Sequence, residues 1–130
     1  MSREVRVINA NKLVKLIATK GRKFCNYEDR TERNGHISYF KLENNRVYYV
    51  DGFTHKEIYA YGSRFFKNRY FSEGGTLQAL MLDLSLYIRT GKVTNGKNGY
   101  GGVYCPHWGY PSEDMKEIQV LAKEIGFSNQ

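Results

Sequence analysis

The sequence predicts an α+β fold, in which an antiparallel β meander over residues 22–61 is packed by helices. Turn-forming dipeptides divide residues 22–61 into short segments, whereas apolar side chains recur with helical spacing over residues 76–90 and 112–125. A chain of 130 residues, 41% of them hydrophobic, has room for one core. Residues 1–130 are therefore expected to form a single domain.

Three dipeptides predict the turns of the meander, because their residues tolerate positive φ or bond the local backbone. They are Asn34-Gly35, Asn44-Asn45 and Asp51-Gly52. The segment between the second and third turns, Arg-Val-Tyr-Tyr-Val at 46–50, is rich in residues that favour strands. Together these signals predict three or four antiparallel strands.

Three helices are predicted. The first spans residues 9–20, with Asn9 as its N-cap. The second spans residues 76–90 and has the cleanest apolar stripe, so we expect it to pack across the sheet and to supply most of the core. The third spans residues 112–125 and places its apolar side chains on one face.

The charge of the chain restricts the chemistry of its partners. Lys and Arg number 20 against 13 Asp and Glu, which gives a net charge of +7 and favours anionic partners. No apolar run has the length of about 20 residues that a membrane span needs, and no signal peptide is visible. We therefore expect a cytoplasmic protein without a membrane partner, in which Cys25 and Cys105 are thiols.

The segment 64–71 alternates cations with aromatic rings and is the first candidate for a binding site. Bases stack on aromatic faces and guanidinium planes, whereas cations hold phosphates. The pattern predicts that Arg64 and Arg69 neutralise phosphates and that Phe65 and Tyr70 stack on a base. The alternative is a strand or loop that buries its rings and leaves its cations in solvent.

A glycine pair opens the second predicted helix directly after that segment. The N-terminus of a helix exposes unpaired N–H groups with partial positive charge, and glycine lets an anion approach the backbone closely. Gly74, Gly75 and Thr76 are therefore predicted to donate hydrogen bonds to a phosphate. A plain turn with Thr76 as the helix cap is the alternative.

The glycine-rich and aromatic segment 91–111 is predicted to close over the same place. Ordered loops of this length are commonly functional. Lys92 would add a phosphate contact, and Trp108 would stack on a base. The alternative is a loop folded down onto the sheet, with Trp108 as its plug.

Catalytic interpretations find no complete set of residues. The three histidines are scattered along the chain, and Cys105 with His107 would supply two metal ligands without a second pair. No Gly-x-Ser-x-Gly motif is present. Asp83 is expected to be a solvated helix position and not a base. The sequence therefore predicts neither an enzyme nor a metal or cofactor.

One short domain with a β meander, one strongly amphipathic helix and an aromatic, glycine-rich segment resembles accessory proteins of bacterial viruses. In type it is similar to small phage counter-defence proteins. These include anti-CRISPR proteins and the Thoeris anti-defence proteins that sequester nucleotide-type signals. The resemblance implies binding without turnover in the cytoplasm of a bacterial host. It has no shared motif, so no site residue is transferred.

The leading hypothesis is a non-enzymatic protein that sequesters a phosphate-bearing, nucleotide-like signalling molecule. A chain this short leaves limited room for a deep pocket, so a homo-oligomer interface is one expected place for the site. The alternative is an inhibitor of the anti-CRISPR type or a nucleic-acid-binding protein. Such a protein would use its basic face to contact nucleic acid or a nucleic-acid-binding host protein.

Overall fold

The computed structural model describes residues 1–21, 25–27, 36–52, 55–60 and 74–129, and there it confirms the predicted α+β fold. The helices are α1 (Arg3–Gly21), α2 (Gly74–Thr90) and α3 (Ser112–Glu124), with a short 3-10 helix at Gly99–Gly101. The strands are β1 (Asn26–Tyr27), β2 (His36–Ile37), β3 (Tyr39–Glu43), β4 (Arg46–Val50) and β5 (Glu57–Tyr59). The predicted turn at Asn34-Gly35 lies outside the described residues.

Strands β3, β4 and β5 form an antiparallel sheet in that order, and β1 pairs with β2 in a separate two-stranded sheet. The hairpin between β3 and β4 turns at Asn44 and Asn45, whose φ values are 52° and 61°. Two consecutive residues in the left-handed region give a turn whose twist matches that of the flanking strands. The predicted Asn44-Asn45 turn is therefore confirmed, and it sets the register that pairs Lys41 with Tyr48.

Two helices cover one face of this sheet and share the core. Helix α1 contacts β2 and β3, whereas α2 contacts β4. The expectation that α2 packs on the sheet therefore holds, but α1 supplies a comparable part of the core. The buried side chains of the two helices include Leu13, Val14 and Ile17 from α1 and Leu77, Leu80, Met81, Leu84 and Ile88 from α2.

Helix α1 begins at Arg3 and not at the predicted residue 9. The prediction of Asn9 as N-cap is wrong, because Ser2 takes that role: its Oγ accepts a hydrogen bond from the Val5 N–H at 3.2 Å. Residues 3–8 mix charged with β-branched side chains, so they show no helical stripe. This part of the helix is stabilised by tertiary contacts that the local sequence does not reveal.

Asn11 joins α1 to the edge of the sheet. Its Nδ2 donates to the carbonyl of Phe40 at 2.8 Å, and its Oδ1 accepts from the Phe40 N–H at 2.7 Å. Strand β3 has no neighbouring strand of its own sheet on this side. One amide side chain thus satisfies both backbone groups of an edge residue, which would otherwise need water or another strand.

Two arginines of α1 hold the C-terminal end of α2. Arg6 Nε donates to the carbonyl of Ile88 at 2.9 Å, and Arg3 Nε donates to the carbonyl of Arg89 at 3.3 Å. Carbonyls in the last turn of a helix lack intrahelical partners and carry partial negative charge. Both arginines of α1 therefore have a structural role at this helix end.

Leu84→Ala is expected to lower the free energy of unfolding by about 2–5 kcal/mol, as for other truncations of a fully buried leucine. Leu84 is 0% exposed in the core. Val120→Ala is the control, because Val120 is 50% exposed on α3. Chemical denaturation of both variants measures the effect. Equal unfolding midpoints for the two variants would show that the apolar side chains of α2 do not belong to the core.

Arg6→Ala is expected to lower the free energy of unfolding by about 1 kcal/mol, the net contribution of a hydrogen bond at a helix end. Lys12→Ala removes an exposed cation of the same helix and should change stability little. Thermal or chemical unfolding of the two variants distinguishes the cap from a general charge effect. A loss of the same size in Lys12→Ala would contradict the capping role.

Candidate functional site: a polar pocket beside the second helix

A pocket of about 410 Å³ opens between α2 and the segment that follows it. We call it the loop pocket. Its lining residues are Asp83, Leu86, Lys92, Val93, Thr94, Asn95, Lys97, Asn98 and Asn129. Sites for small molecules have volumes of roughly 300–1,000 Å³, so the loop pocket has room for one small ligand.

The C-terminal tail supports one wall of the loop pocket. Thr94 N–H donates to the carbonyl of Phe127 at 2.9 Å, and Asn129 N–H donates to the carbonyl of Thr94 at 3.1 Å. Thr94 and Ser128 thereby pair as neighbours in a parallel bridge. These bonds fix the backbone of residues 93–95 and bring Asn129 to the pocket.

Two glycines, Gly96 and Gly102, allow the loop that follows α2 to fold tightly on itself next to the pocket. A Cβ on Gly102 would stand 2.2 Å from the carbonyl oxygen of Gly96, and a Cβ on Gly96 would stand 2.3 Å from the Tyr104 ring. Gly96 also has a φ of +75°, which favours glycine. Its carbonyl accepts from the Tyr104 N–H at 3.0 Å, and Lys97 N–H donates to Asn95 Oδ1 at 2.9 Å. The backbone of the loop is therefore held by the protein's own contacts.

Asp83 is the acidic group of the loop pocket. It is half-buried on α2, so it is not the solvated position that the sequence predicted. Its Oδ1 accepts a hydrogen bond from Asn98 Nδ2 at 3.1 Å. Burial raises the pKa of Asp83, while the hydrogen bond from Asn98 and the charge of Lys92 act in the opposite direction. The carboxyl group is thus partly desolvated and oriented by Asn98.

The residues predicted from segment 64–71 lie outside the described part of the chain. This applies to Arg64, Phe65, Arg69 and Tyr70. Their role in ligand binding stays a prediction.

Helix α2 separates the other predicted phosphate contacts. Gly74 and Gly75 open the helix and Thr76 lies in its first turn, whereas Lys92 follows its opposite end. A helix rises about 1.5 Å per residue, so Thr76 and Lys92 are roughly 20 Å apart. Of these predicted residues the structure brings only Lys92 to the loop pocket, together with residues that the sequence did not single out.

Trp108 lies in the core and not on a ligand-binding surface. It is 1% exposed, its Nε1–H donates to the carbonyl of Tyr100 at 2.8 Å, and its ring meets that of Tyr110 edge to face at 5.5 Å. Burial of the large apolar indole stabilises the fold, and a buried ring has no open face on which a base could stack. The burial of Trp108 therefore contradicts its predicted stacking role. The ring is a plug beneath the loop, as in the alternative, but the 3-10 helix of the loop contacts α2, where the alternative placed the loop on the sheet.

The thiols have a buried, structural setting. Cys25 and Cys105 are both free and buried, 4% and 9% exposed. Burial raises the pKa of the Cys25 thiol, so it stays protonated and is a poor nucleophile. Within the described ranges, no three His, Cys, Asp or Glu side chains form a group that could hold a metal ion.

The loop pocket combines cations with amide and carboxyl groups. Lys92 and Lys97 are exposed and can neutralise an anion, whereas the asparagines can both donate and accept hydrogen bonds. Of the residues that line the pocket, the sequence selected Lys92 as a ligand contact but did not select Asp83, Asn98 or Asn129. The asparagines and glycines within residues 94–99 were the one local pattern that could have indicated a polar loop here. Only the fold brings this loop close to residues 83 and 129.

The fold and the pocket define a small α+β protein in which a glycine-rich loop shapes a polar cavity beside a helix. Among the described helices, none is both long enough and apolar enough to cross a membrane.

The chain belongs to the YoqU family, whose sequence model matches residues 1–130. It is similar to the "SPbeta prophage-derived uncharacterized protein YoqU" of Bacillus subtilis (strain 168), with 30% identity over 122 residues. That match covers 94% of this chain and 82% of the relative. No solved structure matches the chain.

Asp83→Asn is expected to raise the free energy of unfolding at about pH 7. Burial raises the carboxyl pKa of the folded chain above its unfolded value, so ionisation of Asp83 disfavours folding, and a neutral amide removes this cost. The gain should shrink toward about pH 3.5, where the wild-type carboxyl also becomes neutral. Chemical denaturation at both pH values measures the difference. An increase in the free energy of unfolding that is equal at both pH values would show that the charge of Asp83 is not its cause.

Proposed function

We propose that this protein is a non-enzymatic binding protein that sequesters a phosphate-bearing, nucleotide-like signalling molecule in the loop pocket. The observation that carries the proposal is the composition of the pocket, which sets Lys92 and Lys97 beside the three asparagines 95, 98 and 129. Ammonium groups neutralise phosphate, and amides can recognise hydroxyl and base groups.

The charges of the pocket support an anionic ligand. Among the described residues, neither Lys92 nor Lys97 forms an ion pair with a carboxylate, unlike Lys20 and Lys41. Both are therefore available to a ligand. The net charge of +7 also raises the concentration of anions near the surface.

The family supports a biological setting for sequestration. A relative of this chain is described as prophage-derived, and we extend a phage origin to this chain. A phage protein that binds a defence signal of its bacterial host lowers the concentration of the free signal, because each protein molecule holds a fixed number of signal molecules. Such counter-defence needs affinity and no catalytic residues.

A nucleic-acid-binding protein is the second candidate, and the open face of the sheet favours it. Tyr39 and Tyr59 are 45% and 43% exposed, and the rings of Tyr48 and Tyr59 lie 5.4 Å apart. Arg46 lies over the Tyr59 ring at 5.6 Å. Exposed rings beside cations can stack on the bases of a single strand. However, Lys41 on this face is paired with two glutamates, which leaves fewer cations for phosphates.

Lys92→Ala is expected to weaken binding of the best-bound nucleotide by about 1.5–3 kcal/mol, the usual contribution of a charged hydrogen bond. Calorimetric titration with cyclic nucleotides, ADP-ribose derivatives and short oligonucleotides measures the effect. Lys12→Ala is the matched control, because Lys12 is an exposed lysine on α1 outside the pocket. Lys12→Ala should leave the affinity nearly unchanged.

Equal losses in Lys92→Ala and Lys12→Ala would show diffuse electrostatic binding and refute the pocket as the site. Oligonucleotides that bind better than any nucleotide, with a steep salt dependence, would favour the second candidate. Arg69→Ala in the same titration tests the predicted segment 64–71. A loss comparable to that of Lys92→Ala would add this segment to the site.

A further inference from the structure

Among the residues that the structure describes, none donates a hydrogen bond to Oδ2 of Asp83. Asn98 Nδ2 donates to Oδ1 at 3.1 Å and also approaches the carbonyl of Ala79 at 3.5 Å, which ties the amide to α2. Among the described residues, Asn98 is the one hydrogen-bond partner of Asp83, and Lys92 acts on it through charge without an ion pair. Asp83 lines the loop pocket, so its carboxyl group is an acceptor that Asn98 orients there.

A half-buried carboxylate without a full set of donors favours a ligand that supplies them. Removal of such a group from water costs free energy unless hydrogen bonds replace the hydration. The donor could be a cationic group or a neutral hydroxyl. Because Lys92 and Lys97 already make the pocket positive overall, a cationic donor would be repelled, and neutral hydroxyl groups are favoured.

Resting on the proposed function, we propose that Asp83 makes the loop pocket selective for ribonucleotides by accepting hydrogen bonds from the ribose hydroxyl groups. A carboxylate that accepts the ribose 2′-hydroxyl holds the sugar in other nucleotide sites. The ribose is common to all ribonucleotides, so this contact does not depend on the base. Lys92 and Lys97 would hold the phosphate on the same ligand.

The expected stability effect of Asp83 agrees with a role in binding. Its burial is unfavourable for the charged carboxylate, and asparagine has nearly the same size without the charge. A group that lowers stability inside a pocket is typical of a binding site, where function limits stability. Oriented by Asn98, the carboxylate also needs little rearrangement when a ligand arrives.

The test compares AMP, ADP and GMP with their 2′-deoxy counterparts by calorimetric titration of the full chain. The wild type is expected to bind each ribonucleotide about tenfold or more tightly than its deoxy counterpart, as the loss of a hydrogen bond to a charged group predicts. Asp83→Asn should reduce this ratio to about twofold or less, because the amide lacks the charge. Lys92→Ala should weaken both members of each pair and leave their ratio unchanged.

The outcomes separate this proposal from the proposed function. Equal binding of ribo- and deoxynucleotides by the wild type would overturn the role of Asp83 and leave nucleotide binding intact. An undiminished ratio in a folded Asp83→Asn variant would assign the selectivity to another group. If neither these six nucleotides nor the cyclic nucleotides and ADP-ribose derivatives bind at millimolar concentration, both proposals are overturned. Circular dichroism of each variant confirms that it is folded.

Discussion

Two hydrogen bonds between Asn11 and the backbone of Phe40 fix where α1 crosses the sheet. From that position the helix buries its apolar side against the core and brings Arg3 and Arg6 to the last turn of α2. Gly91 follows directly, with a φ of 77°, and leads into the segment that lines the loop pocket. The position of the pocket therefore depends on a helix that contributes no residue to it.

The other wall of the pocket depends on the end of α3. The Tyr87 hydroxyl donates to the carbonyl of Ile125 at 2.5 Å, which joins α2 to the residue that follows α3. Gly126, with a φ of 75°, then turns the chain so that residues 127–129 run beside Thr94. Both walls are thus tied to the core, and the cavity is preformed. A preformed cavity lowers the entropic cost of binding a ligand.

The side chains of the loop pocket are compatible with the proposed binding function. Its cations are exposed, its carboxylate is oriented by an amide, and the thiol of Cys25 lies buried and protonated in the core. An α+β fold of this size is compatible with many functions, so the site and not the fold supports the proposal. The chain is also similar to a protein that is described as prophage-derived.

The sequence by itself predicted the elements whose signals are local. The apolar stripe of α2, the third helix and the Asn44-Asn45 turn follow from side-chain periodicity and φ preferences, and the structure agrees. The start of α1 was missed because residues 3–8 have no apolar stripe and depend on contacts with α2. Local patterns identify elements well but carry no information on their partners.

The candidate site was decided by tertiary structure. The local pattern selected Lys92, which lines the loop pocket, but it also selected Trp108, whose buried ring fills space beneath the loop. Asp83 and Asn129 are far from each other in the chain and line one pocket because two glycines and the C-terminal tail fold the loop back along α2. Proximity between such distant positions leaves no periodic trace in a sequence, so only the packing of the core brings the two residues to the same pocket.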